Sequence, residues 1–168
     1  MNDRELYILR HGKSDWETTE RDHDRPLKTR GVEAARTIGR LLQAAGCEPD
    51  RVITSSAVRS RTTAELAAQA GGFGCGVAID PRLYDASLDT WLGVVRATDD
   101  GVVRLLVAGH EPTCSEAIEH LTGAAVEFPT AALARLDIES SWQRLNPRST
   151  RLAWLVTPKL IQAMAGAP

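Results

Sequence analysis

Several things are scarce in this chain, and each scarcity excludes something. Its 168 residues hold only three cysteines, Cys47, Cys75 and Cys114, an odd number at wide separations. They cannot form a fully paired disulfide framework, and no two have the close spacing of a zinc site. They read as small buried thiols. A cysteine-nucleophile phosphatase would also need arginine six positions after its cysteine, where Ile53, Pro81 and His120 stand. Neither charge is in surplus: 20 Lys+Arg face 22 Asp+Glu, a net charge of -2. Such a balance supplies no long-range field for nucleic acid or an anionic membrane, so an anion site has to be built locally. No apolar run approaches the ~20 residues that span a bilayer, and Met1 to Glu5 is charged rather than signal-like. With 43% hydrophobic and 25% charged residues, the expectation is one globular domain over residues 1–168, cytoplasmic, with neither nucleic acid nor membrane as partner.

The elements follow from periodicity. Leu6 to Leu9 reads as a strand that stops at Arg10-His11-Gly12. Val32, Ala35, Ile38, Leu42 and Ala45 recur at helical spacing, with Gly46 as the stop. Val52-Ile53 reads as a strand, Thr54-Ser55-Ser56 as cap residues, and Ala57 to Ala70 as a helix with Arg59 in its first turn. Val77 to Ile79 is a strand and Leu88 to Arg96 a helix. Val102 to Ala108 is the most continuous strand, delivering Gly109-His110-Glu111-Pro112-Thr113 before a helix to about Leu121. Ala132 to Ile138 and Leu152 to Val156 are two strands with no helix between them, suited to pair antiparallel. Strands alternating with helices predict a three-layer α/β/α fold, with a mostly parallel central sheet and a C-terminal antiparallel hairpin.

In an open α/β sheet, ligands sit beyond the carboxyl ends of the strands, and those ends carry Arg10, His11, Arg59 and His110. Arginine offers a planar fork of donors that never deprotonates, so two of them converging suit a phosphoryl group. A neutral imidazole at the same point can attack phosphorus and form a covalent intermediate without a metal. A second imidazole, when protonated, adds charge to the phosphoryl oxygens.

Leu9-Arg10-His11-Gly12-Lys13-Ser14, Arg25-Pro26-Leu27 leading to Gly31, Ser55-Ser56-Ala57-Val58-Arg59 with Thr63-Ala64 beyond, and Gly109-His110-Glu111 occur in that order. In these stretches the chain resembles the histidine phosphatase superfamily, which includes phosphoglycerate mutases, and within it the small SixA-type phosphohistidine phosphatases. The resemblance implies that His11 is the phospho-accepting nucleophile, with Arg10, Arg59 and His110 catalytic beside it. It also implies substrate binding by Arg10, Gly12, Lys13, Arg59 and His110, with no metal and no cofactor. Ser56 stands where the family often has proline. Larger relatives take a proton donor from an inserted segment; here Asp85 is the nearest candidate. The substrate expected is phosphohistidine in a protein, because imidazole, with a pKa near ~6.5, leaves with less help than an alcohol. The alternatives are a small phosphate ester acted on by a phosphomonoesterase or mutase, and a non-catalytic module that binds phosphoprotein.

Other patterns mislead. Gly12-Lys13-Ser14 imitates a P-loop end, but Tyr7 stands where its first glycine belongs. His110-Glu111-Pro112-Thr113-Cys114 imitates a zinc-protease helix, with Cys114 in place of the second histidine. Gly72, Gly74 and Gly76 precede their strand, the reverse of a dinucleotide fingerprint. Asp22-His23-Asp24 reads as a solvated loop, and His23 and His120 as surface or capping residues. Trp16 and Trp91 fit either a site rim or packing; Trp142 and Trp154 look structural.

Overall fold

The computed structural model describes residues 4–165. In β1 (Arg4–Arg10) every residue from Leu6 to Leu9 is fully buried, so the strand is covered on both faces. Residue parity sorts the two faces. Leu6 and Ile8 share one core cluster with Leu105 and Val107, whereas Tyr7 and Leu9 share another with Leu106 and Ala108.

Helices fill both sides. On the Tyr7 face lie α1 (Thr29–Ala44), through Ile38 and Leu42, and α2, through Ala64. Between them runs β2 (Arg51–Thr54), and α2 spans Val58–Gly71. After β3 (Val77–Ile79), α3 (Leu88–Arg96) covers the Leu6 face with Trp91, Leu92 and Val95. Beyond β4 (Arg104–Gly109), α4 (Thr113–Thr122) adds Ala117, Ile118 and Leu121 to that face. Then β5 (Leu133–Ile138) and β6 (Thr150–Val156) pair antiparallel, and α5 (Pro158–Ala165) returns Ile161 to the Tyr7 face.

The six-stranded sheet has the order β3-β2-β4-β1-β5-β6. Only β5 runs against its neighbours. The expected three-layer fold with a mostly parallel sheet is what forms. The strands β1 and β4 are parallel partners, with Arg10 opposite Gly109, yet the helices that follow them leave to opposite faces. That divergence opens a crevice at their carboxyl ends, where a doubly wound sheet holds its ligand.

Some local expectations are corrected. The first helix starts at Thr29 rather than Val32. The cap of α2 is Ala57, without a side-chain bond; Ser55 lies two residues earlier and accepts the Ala57 N–H at 3.3 Å. The fourth strand begins at Arg104, because Val103 and Arg104 donate their N–H groups to the Asp50 carboxylate at 3.0 and 2.8 Å. The helix α5 was not anticipated, although Pro158 at its first position is a recognised helix start. Cys47 and Cys114 are buried but Cys75 is only half-buried. Trp91 and Trp142 are core residues, and Trp154 tilts against Tyr7 at 6.0 Å between ring centroids. No helix of the described residues is long and apolar enough to cross a membrane.

The close contact of α1 with α2 depends on Gly39, where an added Cβ would overlap the Ala67 carbonyl oxygen. Alanine gains about 1 kcal/mol of helix propensity over glycine, but overpacking costs about 1–3 kcal/mol. Gly39→Ala is therefore expected to lower the urea midpoint at unchanged slope; an unchanged or higher midpoint would show that the two helices can separate freely.

Candidate active site

Both histidines are placed by backbone register. His11 follows the last residue of β1 and donates its backbone N–H to the Gly109 carbonyl at 3.0 Å, just before His110. The two rings stand 5.2 Å apart between centroids, tilted by 56°. Arg59, the second residue of α2, is 6% exposed and points back under the same crevice. Arg10, His11, Arg59 and His110 line one cavity of about 250 Å³. All four side chains expected to meet do meet.

Hydrogen bonding fixes which nitrogen is free. His11 Nδ1 lies 2.7 Å from the Gly12 carbonyl oxygen, which can only accept, so Nδ1 carries the proton and Nε2 keeps its lone pair. Burial lowers the His11 pKa to about 4 against the opposing pull of the Gly12 carbonyl, and Arg59, Arg10 and Arg25 reinforce the shift. For His110, burial, His11 and Arg59 lower it to about 3. The Ser55 hydroxyl accepts from Ala57 N–H and lies 2.8 Å from His110 Nε2. With the Ser55 hydroxyl proton turned to Nε2, Nδ1 of neutral His110 is left as an N–H donor. That Nδ1 is buried with no protein partner.

A carboxylate from the Asp22-His23-Asp24 segment, expected to be a solvated loop, organises the arginines. Asp22, in a short 3-10 turn (Asp22–Asp24), accepts from Arg25 Nη2 at 2.8 Å and from Arg59 Nη2 at 3.0 Å. Its Oδ2 also accepts the Tyr84 hydroxyl at 3.0 Å, and its backbone carbonyl accepts Arg59 Nη1. Burial alone would raise the Asp22 pKa; bonds from Arg25 and Tyr84 and the charge of Arg59 outweigh it and hold the carboxyl below the usual carboxylate range. Arg25, 5% exposed, also lines the cavity, and Trp16 stacks on its guanidinium at 3.5 Å while staying 70% exposed. Trp16 is thus a rim residue. Arg10 is anchored by the Phe128 carbonyl at 2.9 Å. In Arg10, Arg25 and Arg59 alike, Nε is buried and unpartnered, so these guanidinium groups have donors that the protein leaves unused.

The remaining expected residues divide. Lys13 lines the cavity. Gly12 does not: its N–H donates to Thr63 Oγ1 at 2.9 Å, its carbonyl holds His11, and a Cβ there would lie 2.7 Å from the Gly31 carbonyl oxygen. It positions His11 instead of touching a ligand. Asp85, left-handed at φ 53°, lines a neighbouring cavity of about 590 Å³ and not the central one. Glu111 borders both, with its carboxylate accepting from the Ser115 N–H at 3.2 Å and from the Ser115 hydroxyl. His23 is more than a surface residue: its Nε2 meets Ser56 Oγ at 3.0 Å, the position of the family's proline, and its ring packs edge-on to Tyr84. His120 is exposed. Among the described residues no three His, Cys, Asp or Glu side chains converge to hold a metal ion.

The profile of the histidine phosphatase superfamily (branch 1) matches residues 6–108. The chain belongs to that superfamily. A Mycobacterium tuberculosis relative, the uncharacterized protein Rv1276c, is 33% identical over 162 residues, covering 90% of this chain and all of that one. The probable phosphoglycerate mutase GpmB of Cronobacter sakazakii is 32% identical over 112 residues, 62% of this chain and 50% of its own length. Among solved structures, a protein assigned as the phosphohistidine phosphatase SixA of Agrobacterium tumefaciens superposes with a TM-score of 0.80 at 29% identity, covering 92% of this chain and 98% of its own. A like-named protein from Nakamurella gives 0.79 at 28%, covering 93% and 96%. This histidine phosphatase therefore carries the fold and the type of nucleophile of its superfamily.

Two outcomes test the hydrogen-bonding pattern. Removing the group that orients His110, in Ser55→Ala, is expected to lower kcat/KM about 10–100-fold with little change in thermal stability; wild-type kinetics would refute the tautomer assigned to His110. In an NMR titration of the ligand-free protein, His11 should titrate near pH 4 and His110 near pH 3. A midpoint near ~6.5 for His11 would mean that the site is wetter than its burial indicates.

Proposed function

We propose that His11 accepts a phosphoryl group from phosphohistidine in a protein and passes it to water. The observation that carries this reading is the uncommitted Nε2 of His11, set among the buried Arg25 and Arg59 and the half-buried Arg10, each with an unpartnered Nε. Nε2 attacks phosphorus of a phosphohistidine whose other ring nitrogen has taken a proton from solvent, the substrate's P–N bond breaks, and the bonding pair leaves on a neutral substrate imidazole. The Gly12 carbonyl supports the positive charge that develops on the His11 ring, while Arg10, Arg25, Arg59 and the His110 N–H meet the phosphoryl oxygens. Water then attacks phosphorus, the P–Nε2 bond breaks, and orthophosphate leaves with neutral His11 restored.

Phosphohistidine is favoured because, among the described residues, no carboxyl group free of a protein partner lines the central cavity. Asp22 is ion-paired to two arginines, Glu111 is held as an acceptor by Ser115, and Asp85 lies outside. An alkoxide would need such a donor, whereas imidazole with its pKa near ~6.5 does not. Wide cavities on both flanks also leave room for a polypeptide, and the superposed structures at 28% and 29% identity are named as phosphohistidine phosphatases.

A substrate panel in the presence of chelator, with wild type and His11→Ala side by side, tests this. Phosphohistidine peptides are expected to be turned over faster than sugar phosphates, with label trapped on His11 in an acid-free quench. His11→Ala should lose about 10³-fold or more in kcat. Unchanged turnover in His11→Ala would reject the mechanism. Faster release from sugar phosphates would make the protein a small-molecule phosphomonoesterase or mutase, and stoichiometric binding without release would make it a binding module.

A further inference from the structure

We propose that a second cavity, walled by Lys13, Arg30 and Lys159, takes a carboxylate that the phosphorylated polypeptide carries next to its phosphohistidine. The inference rests on the phosphohistidine reading above. This cavity, of about 450 Å³, shares Lys13 and Thr130 with the phosphoryl cavity. Every charged side chain on its wall is a cation, and among the described residues none of the three is ion-paired. Lys28, near in sequence but off this wall, is by contrast balanced by Asp15 and Glu17.

Two of these cations sit where a helix disfavours them. Arg30 is the second residue of α1 and Lys159 the second of α5, and neither helix has an acidic residue in its first turn. The start of a helix already carries about half a positive charge, which acidic side chains ordinarily complement. Here two helix starts with basic side chains border one cavity, and the protein supplies no counter-charge. A carboxylate bound there would lie among these cations and near the starts of both helices.

The opposite flank has the other sign. On the cavity of about 590 Å³, Arg59 is balanced by its partner Asp22, which leaves the carboxylates of Asp85, Glu111 and Glu116, and the cavity shares no lining residue with the basic one. The phosphoryl site therefore lies between a basic and an acidic flank. With phosphohistidine anchored at His11, a neighbouring acidic residue is drawn to one side and repelled from the other, which fixes the direction in which the chain crosses the site. A compact ester could not occupy the phosphoryl site and both flanks, each of which is larger than the central cavity. A polypeptide can.

The test compares wild type with the double variant Arg30→Glu/Lys159→Glu, both exposed positions outside the phosphoryl site. The probes are phosphohistidine peptides with a single Glu before or after the phosphohistidine, the same peptide with Lys at both places, and phosphoimidazole, which has no carboxylate. One Glu peptide is expected to exceed the Lys peptide by about tenfold in kcat/KM, through KM, the size that a few partly exposed ion pairs supply. That preference should shrink with added salt and fall to near unity in the double variant, with turnover of phosphoimidazole equal in both proteins. Equal use of all peptides by wild type, or a preference that survives in the double variant, would overturn the inference while leaving the phosphohistidine reading intact. No release from any phosphohistidine probe would instead bring down that reading and this inference together. If phosphoglycolate, a small ester with its own carboxylate, is the substrate weakened in the double variant, the cavity serves a small molecule and the polypeptide assignment is wrong.

Discussion

Three guanidinium groups cannot be gathered around a small cavity without opposition. Two unit charges about 6 Å apart, at an effective dielectric constant of about 20, repel by about 3 kcal/mol. The structure resolves this with one carboxylate: Asp22 bonds both Arg25 and Arg59, and Tyr84 steadies it from the other side. Because the Asp22 side chain is half-exposed, each pair contributes at most about 1 kcal/mol. Its larger effect is geometric, since it aligns two of the arginines before a ligand arrives and leaves their Nε donors unspent.

The nucleophile depends on a different constraint, set by the backbone. The tight turn after β1 brings the Gly12 carbonyl to His11 Nδ1 and the Gly12 N–H to Thr63, and it fits only because Gly12 lies against Gly31. Helix α1 therefore fixes the tautomer of His11 through contact between main chains. Ser55 does the equivalent for His110 from the start of α2. The protonated nitrogens of both rings are thus set by groups outside the cavity, with burial keeping the rings neutral and one lone pair and one N–H free for substrate.

Much of this was readable in the sequence, for physical reasons. Strands covered on both faces appear as short apolar runs, and a doubly wound sheet gathers their carboxyl ends, so Arg10, His11 and His110 could be placed together from order alone. Arg59 was legible because it opens a helix directly after a strand. Asp22 was not: in Asp22-His23-Asp24 nothing distinguishes a solvated turn from one folded over the site, since two of its three side-chain partners are 37 and 62 positions away. Arg25 stood in a matched stretch, but its role depends on Ser14, Asp22 and Trp16, which only folding brings near. Helix α5 was missed because, at eight residues, it follows a strand with only Pro158 to announce it. Asp85 looked like an acid because of its place in the chain, and the left-handed turn puts it on the neighbouring flank.

The central claim is that His11 Nε2, three arginines and the His110 N–H are arranged around a single transferred phosphoryl group. A crystal structure of the protein with vanadate bound tests it most directly. The account predicts vanadium bonded to His11 Nε2, with its equatorial oxygens on Arg10, Arg25, Arg59 and His110 Nδ1. Vanadate seated instead among Lys13, Arg30 and Lys159, or a His11 ring turned so that Nε2 meets a protein atom, would contradict it.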